Sequence, residues 1–433
     1  MIEHAVPRRK PRTVSVLFSE GSSLSARQAL SALGPLSYRI DVCDPNPFCL
    51  SRFSRFVRRF YRCPKFGTDP VAYLRFIVGR LREGRYDVLL PVHEQAFLFA
   101  RIQQKLIPKV GLALTAFDQF ALLQSKATFA KVLADLSLPQ PRTCLVRNRA
   151  EVEAESGFPY YVKLPYSTAG SGVWRVNDAA ERSAVMSGLE SRGQFNGQKE
   201  IVIQAAASGQ QCQAQAVFEH GSLIAIHFTR QRSVGMGGSQ SARVSVDHPI
   251  VRTHMTQLGR HLGWHGALAV DYFFEPTTNE PCYIEANPRL VEPMNAVLCG
   301  VNLADILVRL SLGESFKEGG IRVGNAGIRS HSLLATLLGL AADNAPRTRI
   351  AGEVMRAVLG RGVYSGSKED LTPIRLDPFS IVPLTVVLVQ LLFDPSVAQH
   401  LSGHTVADYS LTSEAVETIR KLEDREIDFS SVT

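Results

Sequence analysis

The chain has 433 residues, 45% hydrophobic and 20% charged, more than one hydrophobic core usually serves, so two to four subdomains of ordinary soluble composition are expected. The net charge of +8 raises nucleic acid as a partner, but the basic excess is local (Arg8, Arg9, Lys10, Arg12, then Arg52 to Lys65) and no zinc-finger or RNP-type spacing accompanies it, so none is expected. Seven scattered cysteines without a C-x-x-C argue against a disulfide framework or Cys-rich zinc site and fit a reducing cytoplasm.

The basic start leads into a short strand-like run broken at Glu20 and Gly21, which does not make a signal peptide. Thr13 to Leu17, the helical pattern ending at Gly34 and the strand YRIDVCD give a β-α-β opening. Gly21, Ser22 and Ser23 fall at its first turn, where a helix N-terminus can hold an anion. The absence of G-x-G-x-x-G argues against a dinucleotide. In SRFSRFVRRFYR, Phe53, Phe56, Val57 and Phe60 approach helical spacing with arginines between them, predicting a solvated helix face. Nucleic acid, a membrane surface or an anionic substrate are the alternatives for that segment. With AYLRFIVGRLREG as helix and YDVLLPV as strand, residues 1–115 read as a parallel α/β unit.

Ala116 to Leu136 reads as one helix with Ser125-Lys126 in its midst, ended by LPQPR. Tyr160 to Leu164 is a strand carrying Lys163, and Val173 to Val176 a returning strand. Between them Ser167, Thr168, Gly170, Ser171 and Gly172 supply small side chains and backbone N–H groups that can turn towards phosphate, although an exposed turn has the same composition. Residues 116–195 form a small α+β subdomain, and 196–315 a larger one in which EIVIQ and QCQAQAVF read as strands.

GALAVDYFFEPTTNEPCYIEANPR, residues 266–289, is a hairpin whose symmetry about Thr278 sets Asp271 opposite Glu285. Asn287 and Arg289 follow at the strand period of two, on the same side. Two carboxylates and an amide converging in apolar surroundings make a hard-oxygen site suited to Mg²⁺ shared with nucleotide phosphates, the alternative being surface carboxylates at a strand end. Arg289 can reach phosphoryl oxygens bidentately.

Taken together, Ser125-Lys126, YVKLP, the loop Ser167 to Val173, the strand IVIQAAASG, Asp271 and Ile284-Glu285-Ala286-Asn287-Pro288-Arg289 resemble, in order, the ATP-grasp superfamily over residues 10–315. The resemblance implies α/β and α+β architecture, with a Rossmann-like domain preceding the ATP-grasp fold and a C-terminal extension. It implies that Lys126, Lys163 and the loop from Ser167 to Val173 contact ATP phosphates, and that Gln204 and the backbone of Ala205 to Ala207 face adenine. Asp271, Glu285 and Asn287 would then hold Mg²⁺, with Mn²⁺ as a substitute, and Arg289 would steady an acyl phosphate. Where the family has glutamates this chain has Ala205 and Gln211, the latter a ribose partner, and Asp271 replaces a glutamate; altered nucleotide contacts follow.

The implied activity joins a small-molecule carboxylate to an amine through an acyl phosphate, releasing ADP, with Lys163 and Arg289 at the reacting centre. Arg230, with His227 and Arg232 beside the glycine-rich Gly235 to Ser239, is a candidate to grip the carboxylate or the intermediate, with a structural role as the equal alternative for His227. A bicarbonate-using, carboxy-phosphate enzyme is the second reading, and an inactive nucleotide-binding regulator the third. Residues 316–433 read as a C-terminal subdomain that covers the site or builds a homodimer contact. Within it the 15 residues Phe379 to Phe393 are too short for a membrane span of about 20 residues and read as a buried helix, with a membrane-surface helix as the alternative.

Overall fold

The buried, mostly apolar run Ser15–Phe18 (β1) starts a parallel sheet completed by Arg39–Asp44 (β2), Val57–Arg62 (β3) and Val88–Leu90 (β4), in the order β3-β2-β1-β4. The structure is a computed structural model and describes residues 13–106, 109–155, 157–168, 170–195, 200–398 and 406–422. The basic residues Arg8 to Arg12, Ala169 of the loop and the closing segment after Leu422 lie outside these. Alternation along β1 sends Val16 and Phe18 towards Leu24–Leu33 (α1) and Leu17 towards Pro70–Gly84 (α2) and Gln95–Leu106 (α3), so helices cover both faces. Ser23 and Asp69 cap α1 and α2 through their side-chain oxygens.

The arginine-rich segment is not the expected helix. Val57, Phe60 and Tyr61 favour a strand, and β3 is the sheet's edge, where the arginines stay in water and Arg58 grips the buried Asp41 bidentately at 2.8 and 2.7 Å. The turn after β1 is already filled by carboxylates: Ser22 and Ser23 N–H donate to Glu20, and Gly21 N–H to Asp44. That α1 N-terminus therefore does not present the free anion site its composition suggested.

The single helix expected over 116–136 is two, Phe117–Gln124 (α4) and Lys126–Asp135 (α5), because Ser125 between them is extended (φ −93°, ψ 128°). Thr143–Val146 (β5), Arg149–Glu153 (α6), Tyr160–Lys163 (β6), Val173–Val176 (β7), Ala179–Ser191 (α7) and Ile201–Ala205 (β8) follow. The four strands make an antiparallel sheet in the order β5-β8-β6-β7, closed by Val152, Met186 and Leu189. This small sheet runs to Ala205, past the expected edge at 195. Phe120, Leu123, Phe129 and Val132 of α4 and α5 pack instead into the core under the large sheet.

That large sheet contains Gln210–Glu219 (β9), Ser222–Val234 (β10), Gln240–Val246 (β11), Gly266–Glu275 (β12) and Glu280–Asn287 (β13), with Pro249–Leu262 (α8) crossing one face. Met294–Leu298 (α9) and Leu303–Ser311 (α10) tie it to the first domain through α1. Residues after 316 do not stand apart: Arg322–Val323 (β14), Arg329–His331 (β15) and, after Leu333–Ala342 (α11) and Arg347–Val358 (α12), Ser367–Glu369 (β16) extend the same sheet. Ile381–Phe393 (α13) packs on α11 and α12, and a final helix, Ser413–Lys421, returns to α2 and α3. Contrary to expectation α13 is not buried, since only Pro383 and Leu391 along it are.

Candidate active site

Strand alternation builds the site. On β9, Gln211, Gln213, Gln215 and Val217 share one face, while Cys212, Ala214 and Ala216 point into the core beneath α8. Register carries this across the sheet: Asp271 lies opposite Gln213 on one side and Glu285 on the other, and Asn287 is opposite Ala269. The hairpin is not symmetrical about Thr278 throughout. Its tip pairs Glu275 with Glu280 and Tyr272 with Tyr283, and a bulge between Asp271 and Tyr272 shifts the register by one residue. That bulge is what aligns the two carboxylates.

Each carboxylate has a different environment. Burial and the neighbouring Glu285 push Asp271 up to about 7, although Gln213 Nε2 donates to it at 2.8 Å and Asn287 Nδ2 at 2.9 Å. Burial raises Glu285 too, but Lys126 Nζ at 2.9 Å, with Lys163 and Arg289 beyond, outweighs it and holds the group below the usual carboxylate range. Lys163, buried on β6, is lowered to about 8 by desolvation and the nearby Lys126, against the pull of Glu285 and Asp271. Its Nζ donates to Gln204 Oε1 at 2.6 Å.

The glycine loop is folded on this cluster. Lys126 Nζ donates to Ser167 Oγ (3.1 Å) and carbonyl oxygen (3.3 Å), its backbone N–H to Pro165 O, and Thr168 Oγ1 to Glu94 Oε1 at 3.3 Å. Gly172 O accepts from Leu164 N, Ser171 Oγ donates to Thr168 O, and Val173 pairs with Lys163. Gly170 adopts φ +74°, and a Cβ there would lie 3.4 Å from Gly237 O, so the loop tip meets the Gly235–Ser239 segment.

Arg289 joins the loop to the first domain. Its guanidinium donates to Asn287 Oδ1 at 2.6 Å and lies 3.2 Å from Glu94 Oε1, while its Nε, fully buried, has no partner among the described residues. Glu94 also accepts from Gln124 at 2.7 Å.

Arg230 is not brought here. It lies opposite Cys212 and Val244, on the α8 side of the sheet, where it donates to Gln210 at 2.9 Å. The site side of β10 carries His227 and Thr229 instead. His227 is buried, lowered to about 4 by desolvation, and held by Asn295 at 2.8 Å, which suits a structural role. Arg232 is exposed and reaches Val363 O. Gln211 lies opposite Phe273, and Ala205 N–H donates to Arg142 O; Ala207 follows β8 at the strand's end. Sequence reasoning missed Glu94, Gln213, Arg243 and Glu292. Arg243, buried on the site face of β11, pairs with Glu292, which also accepts from Gln28. The signal for Gln213 was its place between Gln211 and Gln215 in an alternating strand; Arg243 and Glu292 had none.

A small antiparallel sheet carrying a lysine, a glycine loop, and a larger sheet carrying paired carboxylates thus meet at one site. Residues 126–319 match the family model described as the carbamoyl-phosphate synthase L chain ATP binding domain. The chain has the ATP-grasp fold. The carbamoyl phosphate synthase large chain of Thermus thermophilus is 26% identical over 234 residues, covering 49% of this chain and 22% of its own. The chain therefore spans about a fifth of that relative. Among solved structures, the biotin carboxylase domain of Hydrogenobacter thermophilus 2-oxoglutarate carboxylase aligns with a TM-score of 0.58 and 14% identity over 73% of each chain. The L-amino acid ligase of Bacillus licheniformis gives 0.54 and 14% over 70% of this chain and 75% of its own. These likenesses establish the fold.

Proposed function

We propose that the protein is an ATP-dependent, ADP-forming ligase that activates a small carboxylate as an acyl phosphate and joins it to an amine. The observation that carries this reading is the cross-strand pair Asp271 and Glu285, with Lys126 against it and Lys163 close by. Two carboxylates face each other in a desolvated place where they repel, an arrangement that makes sense when a cation and phosphates complete it.

The donor set fits Mg²⁺. Asp271, Glu285 and Asn287 offer hard oxygens on one face of the sheet; the ion would replace Lys126 at Glu285 and Arg289 at Asn287 Oδ1, and phosphate oxygens would supply the rest, as Mg²⁺ prefers. Among the described residues no cluster of three His, Cys, Asp or Glu occurs, at this site or elsewhere, so the ion would depend on the amide and on phosphate oxygens to complete its shell. Bound there, the ion would neutralise charge on the β- and γ-phosphates.

The protein's own groups do the remainder. Lys126 and Lys163 take phosphate charge, the loop from Ser167 to Val173 lies over them, and Gln204 and the strand exit at Ala205 to Ala207 border the base. The unpartnered Arg289 Nε–H offers a donor to a phosphoryl or acyl-phosphate oxygen. A substrate carboxylate oxygen then attacks the γ-phosphorus, the bond to the β-phosphate oxygen breaks, and ADP leaves. An amine attacks the acyl carbon, loses a proton and expels inorganic phosphate. Positioning and charge neutralisation suffice for both steps.

A second reading takes bicarbonate as the acid, giving carboxy phosphate. The matched carbamoyl-phosphate synthase family and the likeness to the biotin carboxylase domain favour it. The test is ADP and phosphate release with Mg-ATP across amino acids, small carboxylic acids and bicarbonate, with product masses. ADP that requires an acid and an amine and yields an amide mass establishes the ligase. Turnover with bicarbonate alone as the acid establishes the second reading, and AMP as product overturns both.

A further inference from the structure

The most apolar segment of the chain lies on its surface. Along α13, Ile381, Val382, Val386, Val389, Leu392 and Phe393 are 36–78% exposed, and Phe379, just before it, is 59% exposed. The spacing 382, 386, 389, 393 is a helical stripe. The opposite stripe, Leu384, Val387, Leu388 and Leu391, packs on α11 and α12. No charged residue occurs from Ile381 to Phe393. On the adjoining α12, Met355 and Val358 are 58% and 75% exposed.

We propose that the α12–α13 face docks this protein on an anionic lipid bilayer. What selects that occupant is the charge around the face. Across residues 343–394 the exposed ionisable side chains are Arg347, Arg349, Arg356, Arg361, Lys368 and Arg375 against Asp343 and Asp394, six cations to two anions. Of the remaining acids Asp370 and Asp377 are buried and Glu353 and Glu369 half-buried; Glu353 pairs with Arg356 at 3.0 Å, which leaves five exposed cations to two exposed anions. Arg347 donates to Phe393 O at 2.6 Å, which fixes one cation beside the most exposed aromatic of the patch. An apolar stripe flanked by arginines matches acyl chains beneath anionic headgroups.

Two other occupants fit less well. A symmetric contact with a second copy sets each cationic rim against its own equivalent. A membrane span is excluded for α13, which has 13 residues where about 20 are needed, and no described helix is long and apolar enough to cross.

The experiment is flotation of the full chain with vesicles of phosphatidylcholine, with and without phosphatidylglycerol, at low and high salt. Selective binding to the anionic vesicles, weakened by salt, is expected. Val386→Glu/Val389→Glu should reduce it at least about tenfold, and Arg349→Ala/Arg361→Ala about 25-fold at low salt, from roughly fivefold per arginine. All four positions are exposed, so unchanged thermal melting and ADP release should accompany the loss. Absence of flotation, equal binding to neutral vesicles, or binding that neither variant weakens overturns the proposal. If flotation is absent and the valine variant converts a dimer to a monomer on gel filtration, the face belongs to a second copy.

Discussion

Lys126 Nζ lies 2.9 Å from Glu285 Oε1, and the same residue's backbone N–H and ammonium bond to Pro165 and Ser167 of the glycine loop. One lysine thus ties the start of α5, the loop and the carboxylate strand together. A cation bound at Glu285 would take over the lysine's partner and release its ammonium to phosphate. Lys126→Ala should lower ADP formation about 100-fold through lost charge stabilisation. It should also cost about 1–3 kcal/mol in EDTA, less than a fully buried pair because Glu285 remains 31% exposed. Urea titrations check the second effect, which Mg-ADP should partly reverse; an unchanged midpoint would show that the pair contributes nothing.

Asp271 gives the metal-free fold a pH signature. Its folded value, about 7, lies above the usual 3.8, so the folded state holds the proton more tightly than the unfolded state does. The cost of burying its charge is absent below about pH 4, grows as pH rises through 7, and then levels off on the order of a few kcal/mol. Glu20 and Asp370 are also raised to about 7, so the informative quantity is the difference between wild type and Asp271→Asn. In EDTA the variant should melt above wild type at pH 8 and near it at pH 4. Mg-ADP should stabilise wild type more than the variant, whose ADP formation should be lost. A difference independent of pH would rule out this account of Asp271.

Lys163 titrates in the opposite sense. Desolvation lowers it to about 8, and phosphate anions beside it would restore its proton affinity. Nucleotide binding near pH 8 should therefore take up protons, seen as a buffer-dependent enthalpy in titration calorimetry. The KM for ATP should climb above pH 8 in wild type but stay flat in Lys163→Arg, whose guanidinium keeps its charge. Equal binding enthalpies in buffers of different ionisation heat would contradict this.

The carboxylate hairpin was legible in the sequence because Pro, Thr and Asn mark its turn and a period of two then fixes which residues share a side. The bulge was not, since it is a register defect rather than a composition. The face of Arg230 needed only the same counting: Gln213 and Thr229 are cross-strand neighbours, so Arg230 must point the other way. The arginine-rich strand β3 misled because Phe53, Phe56 and Phe60 repeat near a helical period, while edge pairing with β2 decided the outcome. The exposure of α13 was hidden because an apolar sequence states what a helix would bury, not whether the fold supplies enough surface to bury it. Arg243 and Glu292 meet across 49 residues, a distance at which no local pattern operates.

Arg289 and Arg230 offer a paired test of the site's orientation. Arg289 carries an Nε with no partner among the described residues, beside Asn287 and Glu94, whereas Arg230 lies on the α8 side and reaches Gln210. If charge develops next to Arg289 during phosphoryl or acyl transfer, Arg289→Ala should lower kcat about 10²- to 10³-fold with little change in the KM for ATP. Arg289→Lys should recover only a small part, because an ammonium cannot serve Asn287, Glu94 and a phosphoryl oxygen in one plane. Arg230→Ala should leave kcat and both KM values within about threefold, since a truncation outside the site leaves transition-state contacts intact. Steady-state kinetics on the three variants decide it. A large kcat loss in Arg230→Ala with a small one in Arg289→Ala would place the reacting atoms on the wrong side of the sheet.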